Sequence, residues 1–327
     1  MTPTCDIQAA ADALREGKLV AFPTETVYGL GADAENAGAV ARVFAVKRRP
    51  ADHPLIVHIA SAAELPLWAR EIPAAAQRLA EACWPGPLTL LLRKGARVPL
   101  TTTGGLDSVG LRVPAHPVAL ELLRRFGGGV AAPSANRFGR VSPTRAEHVS
   151  SDLGDDIDVL LDGGECDVGV ESTILDLTSE APRLLRPGGV TVEQLESLLG
   201  VRVSRTSTPG ARAPGLLPSH YAPEARVLVV PRVELVAQAQ ALLASGERVA
   251  VLASHLDDRD VIRTLREVIF LDLGDDAHAA AHRLYGALRD ADAHAATVVL
   301  ASPPVADGLG AALADRLKKA AGPRSTP

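Results

Sequence analysis

Residues 205–224, RTSTPGARAPGLLPSHYAPE, constrain the fold more than any other part of the chain. Pro209, Pro214, Pro218 and Pro223 fall within fifteen residues, with Gly210 and Gly215 among them. Each proline fixes φ and removes an N–H donor, so neither a helix nor a central strand survives here. The stretch reads as a linker stiffened by proline. It divides the 327 residues into two parts, consistent with roughly 100–200 residues per domain. The expected organisation is a first domain over 1–204, a linker over 205–224 and a second domain over 225–327.

The pattern before the linker mixes helices and short apolar strands. Helices are expected over 6–17, 35–48, 73–83 and 117–126. Strands are expected over 18–22, 55–59, 88–92, 109–113, 130–132, 159–161 and 172–177. Strand–helix–strand crossovers alternate with strand–loop–strand steps, which predicts a mixed sheet with helices outside it. After the linker, strands at 226–230, 248–253, 268–273 and 296–301 alternate with helices at 233–245, 276–294 and 308–321. That alternation predicts a small parallel sheet. No glycine fingerprint follows its first strand, so dinucleotide binding there is not supported. Asp257, Asp258, Asp272, Asp275 and Asp276 read as solvated loop acids.

Composition narrows the function. Hydrophobic residues make up 47% and aromatics 3%, so a large core must be built from Ala, Val and Leu. The net charge of −5 argues against a protein that grips nucleic acid broadly through phosphates, and any RNA contact needs a local patch. Cys5, Cys83 and Cys166 are widely spaced, without a CxxC pair. No structural metal is expected, and the thiols read as reduced. The N-terminus lacks the basic-then-apolar pattern of a signal peptide. No apolar run approaches the ~18 residues of a membrane span, so a cytoplasmic protein without membrane contact is expected.

Five segments carry side chains suited to chemistry. In Phe22-Pro-Thr-Glu-Thr-Val-Tyr-Gly-Leu-Gly31, three polar residues, Thr24, Glu25 and Thr26, follow a strand end. Such positions line crevices in α/β sheets, although a capped turn also explains them. Lys47-Arg48-Arg49 ends a helix, where the dipole alone favours cations. The same residues could clamp phosphate, Arg through its fork and Lys as a compact charge. Arg112 interrupts an apolar strand, and a buried arginine must face a carboxylate from the protein or from a ligand. His58 lies in another apolar strand, as a core histidine or a ligand contact. Residues 131–144 hold small residues with Ser134, Asn136 and Ser142 as donors and acceptors. Residues 169–175 open a strand, and Arg186 precedes a turn. None of the common ATP motifs is present.

The order of these pieces is more specific than any of them. PTETVYGLG (23–31), KRRP (47–50), DHPLIVH (52–58), WPGPLTL (84–90), GLRVP (110–114), APSAN (132–136), ESTILDL (171–177) and LRPG (185–188) follow one another. The chain resembles the YrdC-like family of threonylcarbamoyl-AMP synthases over about residues 6–200. HYAP (220–223), followed by a second α/β unit, resembles the long two-domain form. The resemblance implies a twisted mixed sheet with an open cavity, joined by a linker over the active site to a Rossmann-like domain. It implies that L-threonine, bicarbonate or CO2, and ATP with Mg2+ give threonylcarbamoyl-AMP and pyrophosphate, without an organic cofactor. The product would pass to a tRNA threonylcarbamoyltransferase complex, which modifies the adenosine next to the anticodon in tRNAs reading ANN codons. Weak contact with tRNA or other RNA is left open.

Carried over by position, Thr26, His58, Arg112, Ala132 and Ser172 match the family's L-threonine site. Lys47, Arg49, His53, Ser108, Ser134, Asn136, Ser142, Arg186 and Tyr221 match its ATP site, with Lys47 and Arg49 in the catalytic role. Arg112 would meet the threonine carboxylate. Arg48 stands where the family usually has glycine, and His53 where some members have asparagine. Two other readings compete. A carbamoyl-AMP-forming role in hydrogenase maturation needs zinc-finger cysteines that this chain lacks. A non-catalytic RNA-binding or ribosome-assembly module would need a basic patch.

Overall fold

The computed structural model describes residues 2–205, 214–215, 219–254, 256–302 and 304–323. Most of the expected linker, residues 206–213 and 216–218, lies outside the described residues. The chain forms two compact units. The first comprises Met1–Phe138, Pro143–Asp167 and Glu171–Leu216. The second comprises Gly139–Ser142, Val168–Val170 and Leu217–Pro327, so it draws two short pieces from before the linker.

The first unit is built on a ten-stranded mixed sheet. Its strands are β1 (Val20–Phe22), β2 (Gly29–Asp33), β3 (Ile56–His58), β4 (Ala69–Arg70), β5 (Leu88–Lys94), β6 (Ser108–Arg112), β7 (Val130–Ala131), β8 (Val159–Leu160), β9 (Thr173–Asp176) and β10 (Arg183–Arg186). They lie in the order β10-β9-β5-β6-β3-β7-β2-β1-β8, and β4 pairs with β5. The helices are α1 (Ile7–Arg15), α2 (Ala37–Lys47), α3 (Leu65–Trp68), α4 (Ala74–Cys83), α5 (Leu100–Thr103), α6 (Pro117–Phe126), α7 (Ala146–Leu153) and α8 (Val192–Leu199).

The period of two along the strands sorts side chains onto two faces. Val20, Phe22, Val130 and Ala132 pack with Ala10, Ala11 and Leu14 of α1 and Leu122 and Leu123 of α6. Ala21 and Ala131 face the larger core, with Val40 and Val43 of α2, Leu79 of α4 and Leu195 of α8. Burying each large apolar side chain contributes about 1.5–3 kcal/mol. Caps fix the helix starts. Asp6 accepts from the Ala9 amide at 2.9 Å before α1, and Thr191 and Gln194 form a reciprocal box at the start of α8.

The sequence reading did not include β2, β4, β10, α3, α5, α7 or α8. β2 contains Gly29 and Gly31, which leave no side-chain alternation to read. They belong in the strand because the Phe22 ring lies against them. A Cβ on Gly31 would stand 2.7 Å from Val130 Cγ1 and 2.8 Å from Phe22 Cε1. β10 carries the Arg186 segment as a strand paired antiparallel to β9, with an irregular register between Leu184 and Arg186. The short α7 also escaped the periodicity.

The second unit has a four-stranded sheet of β11 (Arg226–Val229), β12 (Val249–Ala253), β13 (Ile269–Asp272) and β14 (Val298–Ala301). All its pairs are parallel, in the order β11-β14-β12-β13. The helices α9 (Leu235–Ala244), α10 (Arg259–Thr264), α11 (Ala277–Ala293) and α12 (Gly310–Ala320) alternate with the strands. The parallel sheet agrees with the sequence pattern. The reading of the five aspartates as solvated loop acids is corrected for Asp257 and Asp272, whereas Asp258, Asp275 and Asp276 are exposed and lie between elements. Asp257 is buried and accepts from the Ser254 amide and hydroxyl, each at 2.8 Å, and from the Ser302 hydroxyl at 2.6 Å. Asp258 and Asp276 cap α10 and α11. Asp272 and Asp275 pair with Arg259 at 2.9 and 2.6 Å. Among the described residues, no helix is long and apolar enough to cross a membrane.

Candidate active site

β1 ends at Phe22, and the next three polar residues are all buried. Thr24 folds the turn. Its hydroxyl donates to the Val27 carbonyl at 2.6 Å and accepts from the Thr26 and Val27 amides, both at 3.2 Å. The Thr26 hydroxyl lies 2.8 Å from that of Thr24. A hydroxyl has one proton to give, so Thr26 is the donor of that pair and its own lone pairs stay available.

Arg112, the last residue of β6, uses one of them. Its Nη2 donates to Thr26 Oγ1 at 2.9 Å and pairs with Glu25 Oε1 at 2.8 Å. Its Nε donates to the Gly86 carbonyl at 3.3 Å. Glu25 Oε2 accepts from the Ala115 amide at 3.0 Å. The arginine is 4% exposed and the glutamate 5%. The expectation that burial demands a carboxylate is met from within the protein, by a residue the family resemblance did not assign. Its place between Thr24 and Thr26 at a strand end marked Glu25 as a polar residue facing a crevice, but not as the partner of Arg112. Nη1 makes no hydrogen bond to a described residue.

His58 ends β3 and stands in register with Arg112 on one side and Val130 on the other. Its ring meets the Phe22 ring edge-on at 6.0 Å. Its Nδ1 has no hydrogen-bond partner among the described residues. Burial, aided by the Arg112 charge, lowers its pKa to about 3, so the imidazole is neutral. Ala132 donates its amide to the Ile56 carbonyl at 2.9 Å.

Ser172 precedes β9, and its hydroxyl lies 2.8 Å from that of Thr89. Arg186 donates to the Ser172 carbonyl through Nε at 3.0 Å and Nη2 at 2.9 Å, and to its hydroxyl at 3.1 Å. An expected threonine residue and an expected ATP residue are thus in direct contact. Gly188 makes this packing feasible, because a Cβ there would stand 2.2 Å from the Glu171 carbonyl.

Lys47 ends α2 with 1% exposure. Its Nζ donates to the carbonyls of Ser134, at 2.5 Å, and Asn136. An ammonium has three donors, and two are spent holding this loop. Burial, with the Arg49 charge, lowers the Lys47 pKa well below its ordinary value. Arg48 has φ 53° and ψ 42° and is exposed. This left-handed cap favours glycine, and an arginine pointing outward is tolerated there. Arg49 donates to the Pro54 carbonyl at 3.1 Å and lies 5.6 Å from the Phe138 ring centre. His53 meets the same ring edge-on at 5.5 Å.

Three expected residues complete the set. Ser108 begins β6, about 13 Å along the strand from Arg112. Ser142 and Tyr221 belong to the second unit. Ser142 is fully buried there. Tyr221 has φ 62° and 1% exposure. Its ring stacks on Tyr285 at 5.6 Å and lies under the Arg316 guanidinium at 5.1 Å. Among the described residues, no group of His, Cys, Asp and Glu gathers to hold a metal ion.

Comparison with known proteins places this geometry. The family model described as "Telomere recombination" (Sua5, YciO and YrdC) matches residues 12–188. The model described as "Threonylcarbamoyl-AMP synthase, C-terminal domain" matches residues 190–322. A Pyrococcus abyssi protein named threonylcarbamoyl-AMP synthase is 47% identical, covering 97% of this chain and 94% of its own. A Bacillus subtilis protein of the same name is 40% identical, covering 97% and 93%. The crystal structure of P. abyssi Sua5 complexed with L-threonine superposes with a TM-score of 0.89 at 44% identity, covering 96% of this chain and 94% of that one. The chain therefore belongs to the Sua5/YciO/YrdC family, in the two-domain form whose curated members are named threonylcarbamoyl-AMP synthases.

Proposed function

We propose that the protein condenses L-threonine, bicarbonate or CO2, and ATP into threonylcarbamoyl-AMP and pyrophosphate. The observation that carries this reading is the match over nearly the whole chain to a structure solved with L-threonine. The buried cluster supports it. Arg112 keeps Nη1 uncommitted, and a carboxylate is the natural partner of a guanidinium edge. Thr26 and Ser172 supply hydroxyls, and neutral His58 supplies an imidazole without competing charge.

In this reading, the threonine amine and CO2 form a carbamate. A carbamate oxygen attacks the α-phosphorus of ATP, and the bond to pyrophosphate breaks. The charge that builds on phosphate oxygens is met by the third donor of Lys47 and by Arg49 and Arg186. No protein nucleophile is required. Mg2+ would arrive with the triphosphate, which neutralises part of its charge. Lys47 also shapes the site indirectly, because its two carbonyl contacts hold Ser134 and Asn136 in place. The proposal assigns catalysis to residues 1–204 and the product to a tRNA-modifying partner. L-Threonine-dependent release of pyrophosphate from ATP, with bicarbonate and Mg2+ supplied, tests it. Release that does not depend on L-threonine would contradict it.

A further inference from the structure

Glu25 is the member of the buried cluster to which the family resemblance gives no role. We propose that Glu25 sets the charge of the Arg112 site, so that it accepts a zwitterionic α-amino acid and rejects a simple carboxylate anion. The inference rests on the reading that Arg112 receives the carboxylate of L-threonine.

Arg112 and Glu25 form an ion pair 2.8 Å apart, with side chains 4% and 7% exposed. His58, in register beside Arg112, adds no charge. The group is therefore neutral before any ligand enters. A lone carboxylate anion would leave one uncompensated negative charge in a place that water barely reaches, which is costly. A zwitterion brings its own ammonium and adds no net charge. Glu25 can receive that ammonium, because an ionised carboxylate has about four lone-pair positions. Oε2 accepts from the Ala115 amide, and Oε1, although ion-paired with Arg112, has no hydrogen-bond partner among the described residues.

Glu25 also orients the guanidinium. With Thr26 and Gly86 it engages Nη2 and Nε, leaving Nη1 as the edge presented to a ligand. Without the glutamate, Arg112 would be a buried cation short of one partner. It would then welcome any anion small enough to enter. Glu25 is thus a positioning and selectivity residue.

Calorimetric titration of the full chain with three ligands tests this. They are L-threonine, 3-hydroxybutyrate, which lacks the amine, and L-threoninol, which lacks the carboxylate. The unsubstituted protein should prefer L-threonine over either by at least about tenfold. Glu25→Gln should bind L-threonine more weakly and 3-hydroxybutyrate more tightly, so the preference between them falls by at least about tenfold. Glu25→Asp keeps the charge and should retain most of the preference. An unchanged preference in Glu25→Gln, with binding lost in Arg112→Gln, overturns the inference but keeps the Arg112 reading. L-Threonine binding unchanged in Arg112→Gln overturns the Arg112 reading itself. Should Glu25→Gln fail to fold, the ligand series on the unsubstituted protein decides. Affinity for 3-hydroxybutyrate equal to that for L-threonine would overturn the inference there.

Discussion

His58 couples the site to pH through its burial. Its folded pKa, about 3, lies below its ordinary value of 6.5. The unfolded chain therefore binds a proton that the native state refuses. The stability this residue contributes is complete above pH 6.5 and is lost as pH falls toward about 3. His58→Gln removes the titration. Urea unfolding between pH 6 and 4 should show the unsubstituted protein losing about 1.4 kcal/mol per pH unit more than the variant. Equal slopes would contradict the burial argument. Lys47 makes a second residue-scale prediction. Lys47→Ala removes a charge donor and releases the Ser134–Asn136 loop, and turnover should fall by at least about 3 kcal/mol, roughly 100-fold. Near-normal pyrophosphate release would remove Lys47 from the account. Single residues differed in how readable they were. The burial of Arg112 predicted a carboxylate partner, because an unpaired buried arginine is too costly. Which carboxylate was not readable, since Glu25 and Arg112 are 87 positions apart in sequence and meet only when β1 and β6 enter one sheet.

At the scale of elements, periodicity located the long helices and the apolar strands because each buries a continuous face. It missed β2 because Gly29 and Gly31 carry no side chain to show a pattern, and the reason for them, the Phe22 ring, lies on the neighbouring strand. Gly31→Val should destabilise the fold by about 1–3 kcal/mol through overpacking against Phe22 and Val130, measured by urea unfolding. A neutral effect would mean that the ring does not hold this position. The C-terminus of α2 makes the opposite prediction. Arg48 occupies a left-handed cap, so Arg48→Gly should stabilise the chain by about 1 kcal/mol and leave activity unchanged. A loss of activity would give Arg48 a function that its exposure does not suggest. β10 was missed for another reason, because its four residues, Arg183–Arg186, are too few to show a period. Its Arg186 reads as a residue before a turn, but it is held by β9 through the Ser172 carbonyl.

At the scale of the whole molecule, the proline-rich stretch announced two units, and the alternation after it announced a parallel sheet. The sequence did not disclose that Gly139–Ser142 and Val168–Val170 join the second unit, because such membership is made by packing alone. Nor did it disclose that Asp257 is a buried anchor for two loops of that unit. The five chemical segments were individually open to ordinary readings as turns, caps and a helix end. Folding brings those of the first unit into contacts that a turn or a cap does not need, such as Arg112 on Glu25 and Arg186 on Ser172. The central claim is that these contacts serve one adenylate-forming reaction. Its most direct measurement is mass-spectrometric detection of threonylcarbamoyl-AMP, with pyrophosphate quantified in parallel, from the purified chain given ATP, Mg2+, bicarbonate and L-threonine. The account predicts both products in equal amounts, and neither when L-threonine is omitted. Pyrophosphate without the adenylate, or no reaction in the complete mixture, would contradict it.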